Sequence, residues 1–377
     1  MRFNSILKGK FYLYQISVED SMQFNDYDRS LSWRQLLAQS LNTPTELATV
    51  LGLDATEAEQ ITACFPARIN PYYLSLIKTR DDALWRQAVP DMAELLPDGG
   101  SIDPLCEEIQ SPVPGLTHRY PDRVILLVSE QCAVFCRFCM RKRKTGGSGT
   151  VTPETVDAGI EYIRQTPAVR DVILSGGDPL MLSDDELADI LRRLKAIPHV
   201  EIIRIHSRIP CTLPQRVTPE LAQMLRRFQP LFINTHFNHP DELTPEAARA
   251  CALLSDAGIS LGCQTVLLKG VNDDTATMQR LLTGLLRLRV RPYYLHHPDA
   301  VAGTAHFRPS VKRGLAIMRS LRGHISGMAV PQYMLDLPLG GGKIPVLPEY
   351  VCGSEKGLLL LKNFRGEIYR YPCDEGL

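Results

Sequence analysis

Three cysteines, Cys132, Cys136 and Cys139, share one short stretch in the spacing C-x3-C-x2-C. Thiolates bind zinc or iron–sulfur clusters. Structural zinc takes four ligands in a tetrahedron. A [4Fe-4S] cube held by three cysteines keeps one iron open to a further ligand. The run Arg141-Lys142-Arg143-Lys144 follows almost at once. Such a run is a solvated face, a contact for an anionic group, or an offset to the negative charge of a cluster. A second stretch, Leu339-Gly340-Gly341-Gly342-Lys343, sets an amine behind three residues without side chains, so a ligand can come close to the backbone. No Ser or Thr follows and no helix opens at Ile344-Pro345, so it is not a P-loop. It reads as a Schiff-base lysine for pyridoxal phosphate (PLP), or as a flexible glycine turn with an exposed lysine.

The elements that must position these groups change character along the chain. Residues 30–95 carry apolar residues at helical spacing, as in LSWRQLLAQSL and PTELATVLGL. Asn70-Pro71 and the stretch from Leu96 to Pro114 read as loop. From Arg123 a strand-then-helix pattern repeats six times, the strands being VILLVSE, DVILSGGD, VEIIRIHS, LFINTHFN, ISLGCQTVLL and VRPYYLH. Helices are predicted near 183–196, 218–228, 244–257, 275–288 and 309–322. This is the period of βαβ units with parallel strands. Six units are fewer than the eight of a full barrel, so a partial barrel and a doubly wound sheet both satisfy it. Either way, function gathers at the C-terminal strand ends. The cysteines begin just past VILLVSE, and Gly176-Gly177-Asp178, His206-Ser207-Arg208, THFNH, Gln264 and HHPD fall on the same rim. After residue 330, LLLLK and EIYRY around Asn363-Phe364-Arg365-Gly366 read as a β-hairpin.

Zero net charge over 377 residues gives no global argument for nucleic acid or an acidic membrane surface. There is no apolar run of membrane-spanning length and no signal peptide at the N-terminus. The scattered Cys64, Cys211 and Cys251 read as buried small hydrophobes.

The cysteine spacing, with Phe138 before the third, resembles that of the radical S-adenosylmethionine (SAM) superfamily. That resemblance implies a [4Fe-4S] cluster on Cys132, Cys136 and Cys139, SAM on the open iron, and Gly176, Gly177 and Asp178 supporting its methionyl group. From about residue 60 to about 371 the chain resembles the lysine 2,3-aminomutase family. The matching stretches include ITACFPARINPYYLSLI, SPVPGLTHRYPDRV, CAVFCRFCMRKRK, INTHFNHP and DLPLGGGKIPVLPEYV. The implied α/β fold is a partial (β/α)6 radical-SAM barrel at 116–330. An N-terminal helical region at 1–115 precedes it, and a PLP-lysine and hairpin segment follows at 331–377. Lys343 would carry PLP, and Arg119 and Arg123 would contact PLP and its phosphate. Arg141 would bind the substrate carboxylate, and Asp299 and Asp336 its distal ammonium. Gln264 and His236 would line the SAM side.

The implied reaction moves the α-amino group of L-lysine to C3, giving β-lysine. Arginine or ornithine as substrate, supply of β-lysine for modification of elongation factor P, and a non-catalytic cofactor-binding regulator are the alternatives. Free-lysine relatives carry a cysteine-rich zinc tail. Here Asp274 replaces one ligand position and only Cys373 remains near the end, so no structural zinc is expected. A small cationic amino acid, a reductant protein such as flavodoxin or ferredoxin, a homo-oligomer and a reducing cytoplasm complete the expectations.

Overall fold

The computed structural model describes residues 27–147, 149–355 and 357–373. The short apolar runs fold as strands: β1 (Leu116–Tyr120), β2 (Arg123–Ser129), β3 (Asp171–Gly176), β4 (Ile202–His206), β5 (Leu231–Thr235), β6 (Ser260–Val266), β7 (Arg291–His296), β8 (Gln332–Leu337) and β9 (Gly342–Pro345). Among the described residues these nine form one sheet in chain order. β2 to β8 run parallel. β1 and β9 are antiparallel additions at the two edges. The sheet is mostly parallel and barrel-like.

The six strand–helix units are all present, and their helices start as the local chemistry requires. Thr152-Pro153, Thr218-Pro219 and Thr244-Pro245 each place a hydroxyl cap before a proline at the first helical position. The helix Asp184–Lys195 shows the full logic. Ser183 and Glu186 form a capping box, three acids fill the first turn, and Arg192, Arg193 and Lys195 lie in the last. It buries Leu187, Ala188, Ile190, Leu191 and Leu194, each large side chain contributing about 1.5–3 kcal/mol of transfer free energy.

Four expectations change. Asn70-Pro71 is not loop: Asn70 is a buried N-cap whose Oδ1 accepts the Tyr73 N–H at 3.0 Å, and Pro71 opens the helix Pro71–Ser75. Cys64 is exposed at a helix end, whereas Cys211 and Cys251 are buried. The segment 331–377 divides between two sheets, because β8 and β9 extend the main one. The hairpin at 358–372 is present as β11 (Leu358–Lys362) and β12 (Ile368–Pro372), but β10 (Val351–Glu355) adds a third strand. Its alternation was hidden by Gly353, where the register shifts. Among the described residues no helix is long and apolar enough to cross a membrane.

Asp274 caps the helix Thr275–Arg287 by accepting the Thr277 N–H at 2.9 Å.

Candidate active site

A cavity of about 550 Å3 opens inside the barrel-like sheet, and every site residue singled out from the sequence lines it. Its two ends differ.

At one end are the cysteines, on the loop that follows β2. The turn after β3 lies against this loop. Gly177 N–H donates to Ser129 O at 2.6 Å, and Asp178 N–H to Gln131 O at 2.7 Å. Gly176 sits at φ 126°, where a Cβ would come within 2.2 Å of Ser129 O, and a Cβ on Gly177 within 2.5 Å of Gln131 O. Only glycine allows this approach. Asp178 is buried and faces backbone. Its carboxylate accepts from the N–H groups of Leu180, Arg208 and Ile209 at 3.0, 2.7 and 3.2 Å. Burial nonetheless pushes its pKa up to about 6.

Burial, then neighbouring negative charge, raises the thiols of Cys132 and Cys139. Among the described residues no three His, Cys, Asp or Glu side chains gather tightly enough for one metal ion. Three thiols on one wall, without a fourth donor, have the chemistry to ligate a larger group that keeps a position open.

The basic run beside them is no solvated face, and most of its charge is already paired. Each cation meets an acid from residues 94–108. Arg141 Nη2 meets Glu107 at 2.6 Å, Lys142 meets Glu94 at 2.7 Å, Arg143 meets Asp103 at 3.0 Å, and Lys144 meets Glu108 at 2.8 Å. Arg137 joins Glu94 through two hydrogen bonds of 2.8 Å. Burial would raise Glu107, yet Arg141, Arg143 and Lys144 hold it down at about 2. The loop from Leu96 to Pro114 supplies three of these four acids, and Glu94, just before it, supplies the fourth. Arg141 spends Nε and Nη2 on Glu107, while Nη1 stays near Ser175 Oγ at 3.4 Å, on the cavity side.

At the other end stands Lys343, where β9 begins. Its amine bonds to Asp336 of β8, and its backbone N–H donates to Tyr120 Oη of β1 at 2.8 Å. That contact spans the two unpaired sheet edges. Arg119 also reaches Asp336, at 3.5 Å, and donates to Gln110 and Leu105 O. Asp299 is pushed up to about 6 by burial and then by the charge of Asp336, although Lys343 and Arg119 pull the other way. Two close carboxylates in such a place favour a cation between them. Arg123 pairs with Asp122 and lies over the Tyr120 ring. It opens β2, and Arg119 stands on antiparallel β1, so the cavity is not confined to the C-terminal rim. The open seam lets it run down between the edges.

Burial lowers His206 and His236 to about 3 and His296 well below its usual value, so all three imidazoles are neutral near pH 7. His236 bonds to Asn238 at 2.9 Å, and Gln264 lines the wall on β6. Residues that spacing did not single out also belong here. Glu107 and Glu94 hold the basic run. Arg208, on the polar HSR rim cluster, reaches the cysteines. Only the last had a signal, its place at a strand end.

A family profile for the Radical SAM superfamily matches residues 126–282, and one for Lysine-2,3-aminomutase matches residues 318–376. A Clostridium subterminale protein named L-lysine 2,3-aminomutase is 49% identical over 346 residues, which is 90% of this chain and 83% of that one. A Fusobacterium nucleatum protein of the same name is 48% identical over 91% of this chain and 82% of its own. A glutamate 2,3-aminomutase of Clostridioides difficile is 40% identical over 92% of this chain and 82% of its own.

Proposed function

The chain belongs to the lysine 2,3-aminomutase family, and from that premise we propose that its cavity moves the α-amino group of L-lysine to C3, giving β-lysine. It is an isomerase of the radical SAM type. One observation carries the reading: three thiols and an amine against an acid pair line the same cavity.

The donor sets fit the cofactors of the family. Cys132, Cys136 and Cys139 would hold a [4Fe-4S] cluster, and the missing fourth donor leaves one iron for SAM. Gly176, Gly177, Gln264 and His236 would line the SAM side, with Asp178 fixing the turn through backbone N–H groups. Lys343 would hold PLP through its amine, with Arg119 and Arg123 as cationic partners. When bound, these groups supply a carbon-centred radical and a conjugated system to delocalise it.

The chain's own work is to orient and to exclude. Arg141, steadied by Glu107, offers Nη1 to the substrate carboxylate. Asp299 and Asp336 take the side-chain ammonium, a match that favours a cationic substrate over glutamate. The neutral histidines and Phe138 line the space without adding charge. A reductant protein of the flavodoxin or ferredoxin type, a homo-oligomer and a cytoplasmic setting accompany this reading.

The test is anaerobic reconstitution with iron, sulfide, PLP and SAM, then separate incubation with lysine, arginine, ornithine and glutamate under a strong reductant. Mass spectrometry after derivatisation should find a β-amino acid from lysine. Product from arginine or ornithine alone would overturn the substrate. SAM cleavage with no β-amino acid from any of them would overturn the reaction.

A further inference from the structure

Arg208 is the buried cation at the cysteine end that no acid of residues 94–108 serves. It enters from the end of β4 and is 8% exposed. Its Nη1 lies 2.8 Å from Cys136 Sγ, in donor geometry. Its Nη2 donates to Gln87 Oε1 at 2.6 Å and to Glu242 Oε1 at 2.7 Å. Its backbone N–H is held by Asp178. The guanidinium lies over Phe138, 5.3 Å from the ring centroid, and over Tyr73 at 5.6 Å.

The partner acid is fixed as firmly. Glu242 is fully buried and accepts from Tyr73 Oη–H at 2.8 Å and from the N–H groups of Asn238 and His239 at 2.6 and 3.0 Å. Nothing in this set can swing away from the sulfur without leaving buried polar atoms unpaired. The Nε of Arg208 is itself buried without a hydrogen-bond partner. The bonds of Nη1 to the sulfur and of Nη2 to Gln87 and Glu242 offset that orphan. Arg141 and Lys142, by contrast, turn their charged ends to Glu107 and Glu94.

We propose that Arg208 is a positioning residue that sets the reduction potential of the cluster on Cys132, Cys136 and Cys139. This rests on the reading of those cysteines as cluster ligands. An N–H donor on a ligand sulfur draws charge from it and so favours the state with one more electron, while Glu242 balances the guanidinium charge. Burial strengthens the donor's effect. The residue therefore raises the potential and eases entry of the single electron that the reductant protein supplies. No bond or proton changes hands in that step. Asp178, the residue after Gly177, acts through the same residue by anchoring its backbone.

The experiment compares the reconstituted full chain with Arg208→Gln combined with Glu242→Gln, which removes the donor and its buried counter-charge together. Iron and sulfide are counted, and the midpoint potential is read by a dye-mediated titration followed by electron paramagnetic resonance. Full iron with a more negative midpoint is expected, by about tenfold in the reduction equilibrium, ~59 mV for one electron. Full iron with an unchanged midpoint overturns the proposal. Should the double variant lose its iron, Arg208→Lys decides, since it keeps the charge but not the planar fork. Iron retained with a negative shift supports the proposal. Iron retained without a shift, or iron lost again, overturns it and leaves Arg208 a role in assembly. Failure of the unaltered chain to take up iron would sink the reading of the cysteines instead.

Discussion

The two ends of the cavity are built by opposite means. The cysteine end is locked from the backbone outward. Glycines press β3 onto the cysteine loop, and Glu94, 2% exposed, ties that loop to the N-terminal region through Arg137 and Lys142. The lysine end hangs on side chains across a seam where the sheet edges do not pair. Lys343 is 30% exposed on its side chain, and Leu339 before it is 80% exposed at φ 56°. A ligand-holding site gains from fixed geometry. An amine that, in the proposed function, would release one partner and take another gains from a seam that yields.

The largest test of this contrast is Glu94→Gln. It leaves Arg137 and Lys142 buried without their acid, which costs about 3–5 kcal/mol. Urea unfolding should show that loss, and iron uptake should fall with it. Burial alone would raise Glu94, but Arg137 and Lys142 pull it below the usual carboxylate range. Its contribution is therefore present above the unfolded carboxylate pKa and lost as pH falls through the lowered value.

Asp299→Asn should do the reverse. It removes a buried charge that nothing fully pairs, so the melting temperature should hold or rise. Lysine binding should weaken by about 2–5 kcal/mol, seen as a raised KM with iron content unchanged. A fall in stability equal to that of Glu94→Gln would erase the distinction between the two ends.

Gly176→Ala should cost about 1–3 kcal/mol through strain at positive φ and contact with Ser129 O. Its mark should be lost iron rather than altered substrate choice.

The smallest effect is on pH. Asp299 titrates near 6, so lysine affinity should decline below about that pH as the carboxyl becomes neutral. The sign for stability is opposite. A raised carboxyl stabilises the fold in acid, and that contribution is lost as pH rises through about 6. Isothermal titration with lysine beside thermal melts across pH 5–8 would separate the two trends.

The six strand–helix units were legible because each is a local pattern, whereas the resemblance, not spacing alone, singled out Lys343, which lines one cavity with the three cysteines. Spacing of three or four residues, or alternation within a strand, reports its own neighbourhood. The edge strands β1 and β9 were not, since each is short and owes its pairing to the strand beside it. Glu107 and Glu94 were silent for a related reason. Their partners lie 34 and 43 residues away, and no periodicity links an acid to a base at that distance. Arg208 had a rim position but no visible partner, because Cys136 is 72 residues from it.

Strand order has a further consequence. Within the nine-stranded sheet each strand from β2 on pairs with the one before it in the chain, so no early strand of that sheet waits for a late one. During synthesis, the cysteine loop, the glycine turn, Arg208 and its acid Glu242 are all made before β6 begins. Lys343 comes near the finish. Domains that fold as they emerge use such an order. The half that bears the three thiols can take shape first, and the amine-bearing strand then closes a chamber whose far wall already stands.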